Sequence, residues 1–352
     1  MLRGHGGEIY HLARELGLRP LEIRDHSSNV SPLPPPEGLY DLLQTHLREI
    51  ENLPEVDSLT LRECLAERYR LFPEQILPSS GTTEWIFGIP KVFEPRRVLI
   101  LGPTYSDYAD AARQAGLEPK FLLAKEEDEF SPPLEELVTT LKDGDLVFIC
   151  NPNNPTGRVI PSQTLREIIA QHPKALFVID ESYSDFVGEE ASLLEGGNVL
   201  ENLIVLRSFS KIYRIPGLRL GFAIASNRLA ERLWNIFLPW NVNRLAQIAG
   251  VWLVKQKGYV LKVQEFIRTE RERVLENLKD LPAQIFPSRT HFFLLKLPVE
   301  AQRVWQKLLH RYRILTREAS NIYGLNEHFL RFALRSREEN DYLCNALKEV
   351  FS

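Results

Sequence analysis

The stretch richest in reactive side chains is RSFSKIYRIPGLRLG (207–221), which follows directly on the apolar run NLIVLR (202–207). Lys211 could form a Schiff base there, provided that a partly desolvated pocket lowers its pKa. Ser208, Ser210 and Arg219 could together hold a phosphate dianion, because hydroxyl donors and a guanidinium fork suit its oxygens. By itself, a Ser-x-Ser-Lys stretch reads more simply as a solvated basic loop. Two further segments repeat the placement: CNPNNPTGRVI (150–160) follows the apolar DLVFIC, and IDESYSDF (179–186) follows ALFV. Asn154 could hydrogen-bond a phenolic oxygen, Asp180 could pair with a pyridinium nitrogen, and Tyr183 lies three residues further on. Taken singly, these are a turn sequence and a helix cap. Three polar strand ends in succession point to a shared ligand, since open α/β sheets collect ligands at the carboxyl ends of their strands.

Such positions need a parallel or mostly parallel sheet to bring them together. The runs RRVLIL (96–101), KFLLA (120–124), DLVFIC (145–150), ALFVID (175–180), NLIVLR (202–207) and LRLGFAIA (218–225) are near-continuously apolar, as strands covered on both faces are. Between them, YSDYADAARQAG, SPPLEELVTTLKDG and PSQTLREIIAQHP carry apolar residues at helical spacing, with Ser, Pro and Gly as start and stop signals. This alternation predicts an α/β fold with helices on both faces of the sheet. Beyond residue 240 the rhythm changes to a long, charged helical pattern interrupted by Gly258, then AQIF, HFFLLKLP, RILTRE and HFLRFALR among further helices. The expected division is an N-terminal segment 1–40 packing with a small domain, a large domain 41–245, and a small α+β C-terminal domain 246–352. The proline-rich SPLPPPEG (31–38) reads as an extended connector.

Composition narrows the function classes. The chain has 352 residues, 44% hydrophobic and 26% charged, with 43 Lys plus Arg against 47 Asp plus Glu for a net charge of −4. That length suits two domains with a sizeable core. The near-neutral balance opposes a nucleic-acid-coating surface. Cys64, Cys150 and Cys344 are odd in number and far apart, so neither a disulfide framework nor a C-x-x-C metal site is expected. The first residues lack a secretory apolar core, and no run approaches the ~18–20 apolar residues of a membrane span. A cytoplasmic protein with no membrane or nucleic-acid partner is expected.

Together, SSGTTEWI, GPTYSDY, NPNNPTG, VIDESY, SFSKIYRIPGLRLG and the arginine of FLRFALR resemble the fold-type-I, pyridoxal-phosphate-dependent aminotransferase superfamily, in its histidinol-phosphate aminotransferase branch. The motifs run in the family's order over essentially the whole chain. The resemblance implies pyridoxal 5'-phosphate as cofactor, with Lys211, Asp180 and Tyr183 catalytic. Lys211 would carry the Schiff base and then act as general acid/base at the substrate Cα. Asp180 would pair with the ring nitrogen so that the ring serves as an electron sink. Asn154 and Tyr183 would contact the ring oxygen and Tyr105 would stack on the ring. Gly81, Thr82, Thr83, Ser208, Ser210 and Arg219 would surround the cofactor phosphate. Arg331 would hold a substrate carboxylate through its bidentate fork.

Within that superfamily, GHGGEIYHLARELGL, IRDHSSNVSPLPPP, LPWNVNRLAQIAG and the Thr-Arg pair of ILTREASNIYGLNEHFLRFALR are similar to the L-threonine-O-3-phosphate decarboxylases, a cobalamin-pathway subgroup. This likeness implies a small phosphorylated amino acid as substrate, decarboxylated to (R)-1-aminopropan-2-ol phosphate. Its phosphate would meet His5, Asn29 and Arg317, with Asn154 and Arg331 completing the substrate contacts. His5 also reads as a loose terminal residue among Gly4, Gly6 and Gly7, and Asn29 as a turn residue before Pro32. Transamination of histidinol phosphate with 2-oxoglutarate shares every cofactor residue; the two reactions differ in which Cα bond stands perpendicular to the ring. L-Serine phosphate lacks only a methyl group of threonine phosphate. A non-catalytic sensor, as when this fold is joined to a DNA-binding domain, is opposed by the bulk charge and by the short stretch before the first large-domain helix. The family also implies a homodimer, although Leu53 stands where relatives have a tyrosine that reaches the neighbouring subunit's cofactor phosphate.

Overall fold

The protein is described from a computed structural model, in which residues 6–351 are placed. Its strands are β1 (Arg24–Asp25), β2 (Ile76–Ser79), β3 (Arg97–Gly102), β4 (Lys120–Leu123), β5 (Asp145–Cys150), β6 (Leu176–Asp180), β7 (Leu203–Ser208) and β8 (Gly221–Ala225). There follow β9 (Gln284–Ile285), β10 (Phe292–Lys296), β11 (Ile314–Leu315), β12 (Arg317–Glu318) and β13 (Phe329–Ala333).

The continuous apolar runs become strands buried on both faces: every residue of β5, β7 and β8 is buried. They form a seven-stranded sheet in the order β2-β8-β7-β6-β5-β3-β4. From β4 through β7 all neighbours are parallel, and β8 is antiparallel to both β7 and β2. The helices Asp107–Gln114, Leu134–Thr140 and Ser162–Gln171 fall where helical spacing predicts them and cover the sheet. Two differences from the apolar runs have simple causes. β8 starts only at Gly221, because Pro216 opens a short 3-10 turn and Arg219 turns the chain with φ +57°. β2 carries no six-residue run; it is a four-residue edge strand whose Pro78 is tolerated at an edge.

The helical pattern beyond residue 240 resolves into Arg244–Val254 and Lys257–Leu278, so the break falls just before Gly258 rather than at it. A second, antiparallel sheet has the order β12-β13-β10-β9. The N-terminal segment is tied to this end of the chain, because β1 pairs with β11 in parallel. The helix Ile9–Leu16 buries Leu12 and Ala13 against Leu309 and Leu315 with Ile23. Each fully buried aliphatic side chain of this kind contributes about 1.5–3 kcal/mol. The principal core runs unbroken from the large sheet to Phe292, Phe293 and Phe332 of the second one. Among the described residues, no helix is long and apolar enough to cross a membrane, and no His/Cys/Asp/Glu cluster could hold a metal.

Candidate active site

β2, β3, β5, β6 and β7 run the same way, so their carboxyl ends share one edge of the sheet, where β8 begins. Each delivers polar residues there. Gly81 and Thr82 follow β2, Tyr105 follows β3 and Asn154 follows β5. Asp180 ends β6, Ser208 ends β7 with Ser210 and Lys211 beyond it, and Arg219 precedes β8. All of these line one cavity of about 250 Å³, together with Thr83, Tyr183, Asn29, Arg317 and Arg331. Among the residues singled out from sequence, His5 lies outside the described residues.

Asp180 is buried at the cavity floor. Its Oδ2 accepts a hydrogen bond from the Tyr108 hydroxyl at 2.8 Å, and its Oδ1 accepts one from the Ser182 N–H at 3.0 Å. Burial pushes its pKa up, and these bonds oppose the rise by favouring the anion. Burial, reinforced by the cations Arg219 and Arg331, brings the Lys211 amine down to about 8. Lys211 is therefore a nucleophilic amine at mildly alkaline pH rather than an obligate ammonium.

Beside it, Gly81 has φ +89°, and a Cβ there would lie 2.3 Å from the Arg219 guanidinium, so only glycine lets that side chain fold over the loop. The helix Thr83–Phe93 starts at this point and aims its first backbone N–H groups at the same corner. The Ser210 hydroxyl is buried there with no hydrogen-bond partner among the described residues. Glycine-permitted cradle, helix start, free hydroxyl and arginine make a corner suited to an oxyanion.

The opposite wall is cationic as well. Arg331 is 5% exposed and donates to Asn154 Oδ1 and the Ser27 carbonyl, while its Nε is left without a partner. Arg317 donates to the Glu318 carbonyl and to Asn321 Oδ1, the latter at 2.5 Å. None of Lys211, Arg219, Arg317 and Arg331 has a salt-bridge partner among the described residues. Asn29 Nδ2 donates to Asn154 Oδ1 at 3.3 Å and to the Tyr183 hydroxyl at 3.4 Å, leaving its own Oδ1 free.

The segment holding Asn29 lines the cavity with Ser27 and Ser28 and is pinned by hydrogen bonds. Asp25 accepts from the N–H and hydroxyl of Ser27 at 2.8 and 2.6 Å and from the Ser28 hydroxyl at 2.5 Å. Although burial works the other way, Arg335 and these serines hold Asp25 below the ordinary carboxylate range. Arg335 also donates to the Ser28 carbonyl at 2.7 Å.

A family profile described as aminotransferase class I and II matches residues 28–347. The chain belongs to this family. It is accordingly an enzyme, and members of the family depend on pyridoxal phosphate. The chain is 33% identical over 353 residues to a threonine-phosphate decarboxylase of Salmonella typhimurium, covering 99% of this chain and 96% of that one. It is also 33% identical over 328 residues to a histidinol-phosphate aminotransferase of Thermoanaerobacter pseudethanolicus, covering 92% of each. Among solved structures, an L-threonine-O-3-phosphate decarboxylase from Porphyromonas gingivalis superposes with a TM-score of 0.83 at 30% identity, over 93% of this chain and 99% of that one.

Several cavity residues escape a reading of sequence alone, notably Gly6, Ser27, Ser28, Tyr108 and Ile322. Tyr108 had a usable signal, since it stands one helical turn past Tyr105. The two serines belong to an irregular segment whose place is fixed by residues about three hundred positions away.

Proposed function

We propose that this enzyme decarboxylates L-threonine O-3-phosphate to (R)-1-aminopropan-2-ol O-phosphate, using pyridoxal 5'-phosphate. The observation that carries the reading is the charge of the cavity: Lys211, Arg219, Arg317 and Arg331 line it against Asp180, and none of the four has a salt-bridge partner among the described residues. Cations gathered without counter-ions are costly, most of all the buried Arg331, so a cavity of this kind fits anions. A cofactor phosphate, a substrate phosphate and a substrate carboxylate account for the three arginines.

The residues present fit the cofactor. The lowered pKa of Lys211, the buried Asp180, the free Ser210 hydroxyl and the cradle that a Cβ at Gly81 would fill are each suited to one of its groups. Gly81, Thr82, Thr83, Ser208, Ser210 and Arg219 would hold its phosphate, Asp180 its ring nitrogen, Asn154 and Tyr183 its ring oxygen, and Tyr105 a ring face. When bound, pyridoxal phosphate supplies an aldehyde for the amine and a ring that withdraws the electron pair left at the substrate Cα. Asp180, held as the anion, keeps a proton on the ring nitrogen. Arg317 with Asn29 binds the substrate phosphate, and Arg331 binds the carboxylate, so the two ends of the substrate fix the angle of the Cα–carboxylate bond. Lys211, for which both the amine and the ammonium are populated near pH 8, would give the proton of its ammonium form to Cα after carbon dioxide leaves and be left as the amine.

The decarboxylase relatives support this reading, and the aminotransferase relative supports its competitor, transamination of histidinol phosphate with 2-oxoglutarate. Histidinol phosphate carries no carboxylate but its co-substrate 2-oxoglutarate does, so the buried Arg331 suits either reaction, and the full-length match to the decarboxylase is what favours the first. Carbon dioxide release from threonine phosphate by the loaded enzyme tests it; no release, together with 2-oxoglutarate-dependent turnover of histidinol phosphate, would overturn it. The same reading takes the enzyme as a homodimer, with the apolar Leu53, 74% exposed, and its neighbour Val56 on a covered face. A monomeric mass by light scattering would remove that element alone. It also takes residues 1–40 and 246–352 as the parts that close over the substrate, on the large domain 41–245.

A further inference from the structure

We infer that Tyr108 is a positioning residue that acts through Asp180. Tyr108 is fully buried in the helix Asp107–Gln114. Its ring stacks on Phe148 of β5, with centroids 5.1 Å apart and planes at 13°, and it meets the Tyr105 ring edge-on at 5.7 Å. That packing fixes the hydroxyl, which donates to Asp180 Oδ2 at 2.8 Å while the Ser182 N–H donates to Oδ1 at 3.0 Å. Both carboxylate oxygens thus receive donors, from two different elements, and the plane of the carboxylate is set from both sides.

The electrostatic role follows from the same bond. Asp180 is in a buried place that favours its neutral form, and a hydroxyl donating to a carboxylate favours the charged one. Without the hydroxyl, Oδ2 loses this donor, and Asp180 protonates at higher pH. The inference rests on the reading that the cavity takes pyridoxal phosphate, and is independent of which substrate is turned over.

Tyr108→Phe keeps the ring stack and removes only the hydroxyl. The measurements are the dissociation constant for pyridoxal phosphate, from quenching of protein fluorescence, and its dependence on pH. We expect binding weaker by about ten-fold or more, since a charge-assisted bond is lost. We also expect affinity to fall away on the acid side at a higher pH than in the wild type. Phe148→Leu, which loosens the stack and leaves the hydroxyl, should give a smaller shift of the same sign; it decides the matter if the phenylalanine variant does not fold. Unchanged affinity and an unchanged acid limb in a folded Tyr108→Phe protein would overturn the inference. Absence of cofactor binding by the wild type would overturn the cofactor reading itself, and this inference with it.

Discussion

The backbone N–H of Ser31 donates to the carbonyl of Lys211 at 2.8 Å. The segment that brings Ser27, Ser28 and Asn29 to the cavity is thereby bonded to the backbone of the lysine. The side chain of Arg214 reinforces the tie by donating to the Pro32 carbonyl at 3.2 Å. Movements of the segment and of the lysine loop are mechanically coupled, and the expected outcomes below separate contributions from the two sides.

Gly6 probes the segment. A Cβ there would lie 2.5 Å from the Ser27 carbonyl oxygen, which accepts from Arg331, and 3.4 Å from the Arg331 guanidinium itself. Gly6→Ala should displace Ser27 and raise the KM for threonine phosphate about ten-fold while the absorbance of the bound cofactor stays as in wild type. An unchanged KM would separate this glycine from substrate binding.

Arg317 and Arg331 should fail differently. Loss of a hydrogen-bonded charge contact costs ~1.5–3 kcal/mol, or roughly 10–150-fold. Arg331→Lys should lower kcat/KM for threonine phosphate by about that factor, because a single ammonium cannot replace the fork. Arg317→Ala should weaken inhibition by phosphorylated amino alcohols and leave inhibition by unphosphorylated threonine unaltered. Equal losses for both inhibitors would contradict the assignment of Arg317 to the phosphate.

The lowered Lys211 pKa sets a pH dependence. Below about 8 the side chain is an ammonium and cannot attack an aldehyde; above it, the amine is free. The rate at which apoenzyme captures pyridoxal phosphate, followed by absorbance, should rise with pH and level off just above 8. A rate still climbing toward 10.5, the ordinary lysine value, would show that the amine is not desolvated.

Two buried histidines make the fold acid-sensitive. His26 and His291 are fully buried, and burial, aided by nearby Arg335, pushes His26 down to about 4 and His291 well below its usual value. Unfolding returns both to about 6.5, so between those values the unfolded chain binds more protons than the folded one. Stability should therefore fall as pH drops from about 6.5 toward 4, by up to ~1.4 kcal/mol per pH unit for each histidine. Chemical denaturation of the apoenzyme at pH 7 and pH 5 measures it; equal midpoints would refute the account.

Ile322 is the one aliphatic side chain among the described residues lining the cavity, on a turn that also carries the Asn321 partner of Arg317. It is 6% exposed and anchored among Phe286, Leu294 and Phe329. This places it to meet a substrate methyl group next to the phosphate, a contact worth ~1–3 kcal/mol. Ile322→Ala should reduce the preference for threonine phosphate over serine phosphate by several-fold in paired kcat/KM measurements. Undiminished preference would place the methyl group elsewhere.

Much of this site is legible in sequence because a parallel sheet is a sorting device. An apolar run fixes where a strand ends, and the next polar residue falls at the shared edge, which is how Asn154, Asp180 and Lys211 announce one another. Tyr108 was hidden because its side chain serves two purposes; in the helical pattern it reads as an apolar core position, and only the packed structure turns its hydroxyl toward Asp180. Ser27, Ser28 and Arg335 were hidden for a topological reason. Their meeting depends on β1 pairing with β11, a register that no local pattern encodes. Gly258 marks the break in the helical region only approximately, because the first helix ends at Val254 and the next begins at Lys257.

The bond from Arg335 to the Ser28 carbonyl spans 307 residues of chain. During synthesis Ser28 emerges long before Arg335, so this segment lacks its anchor until the second sheet has been made. The seven-stranded sheet, complete by residue 225, can assemble earlier and present Lys211 in a basin open to water. Desolvation of the lysine, and with it the chemistry of the site, then waits on an anchor made 307 residues after the segment it holds.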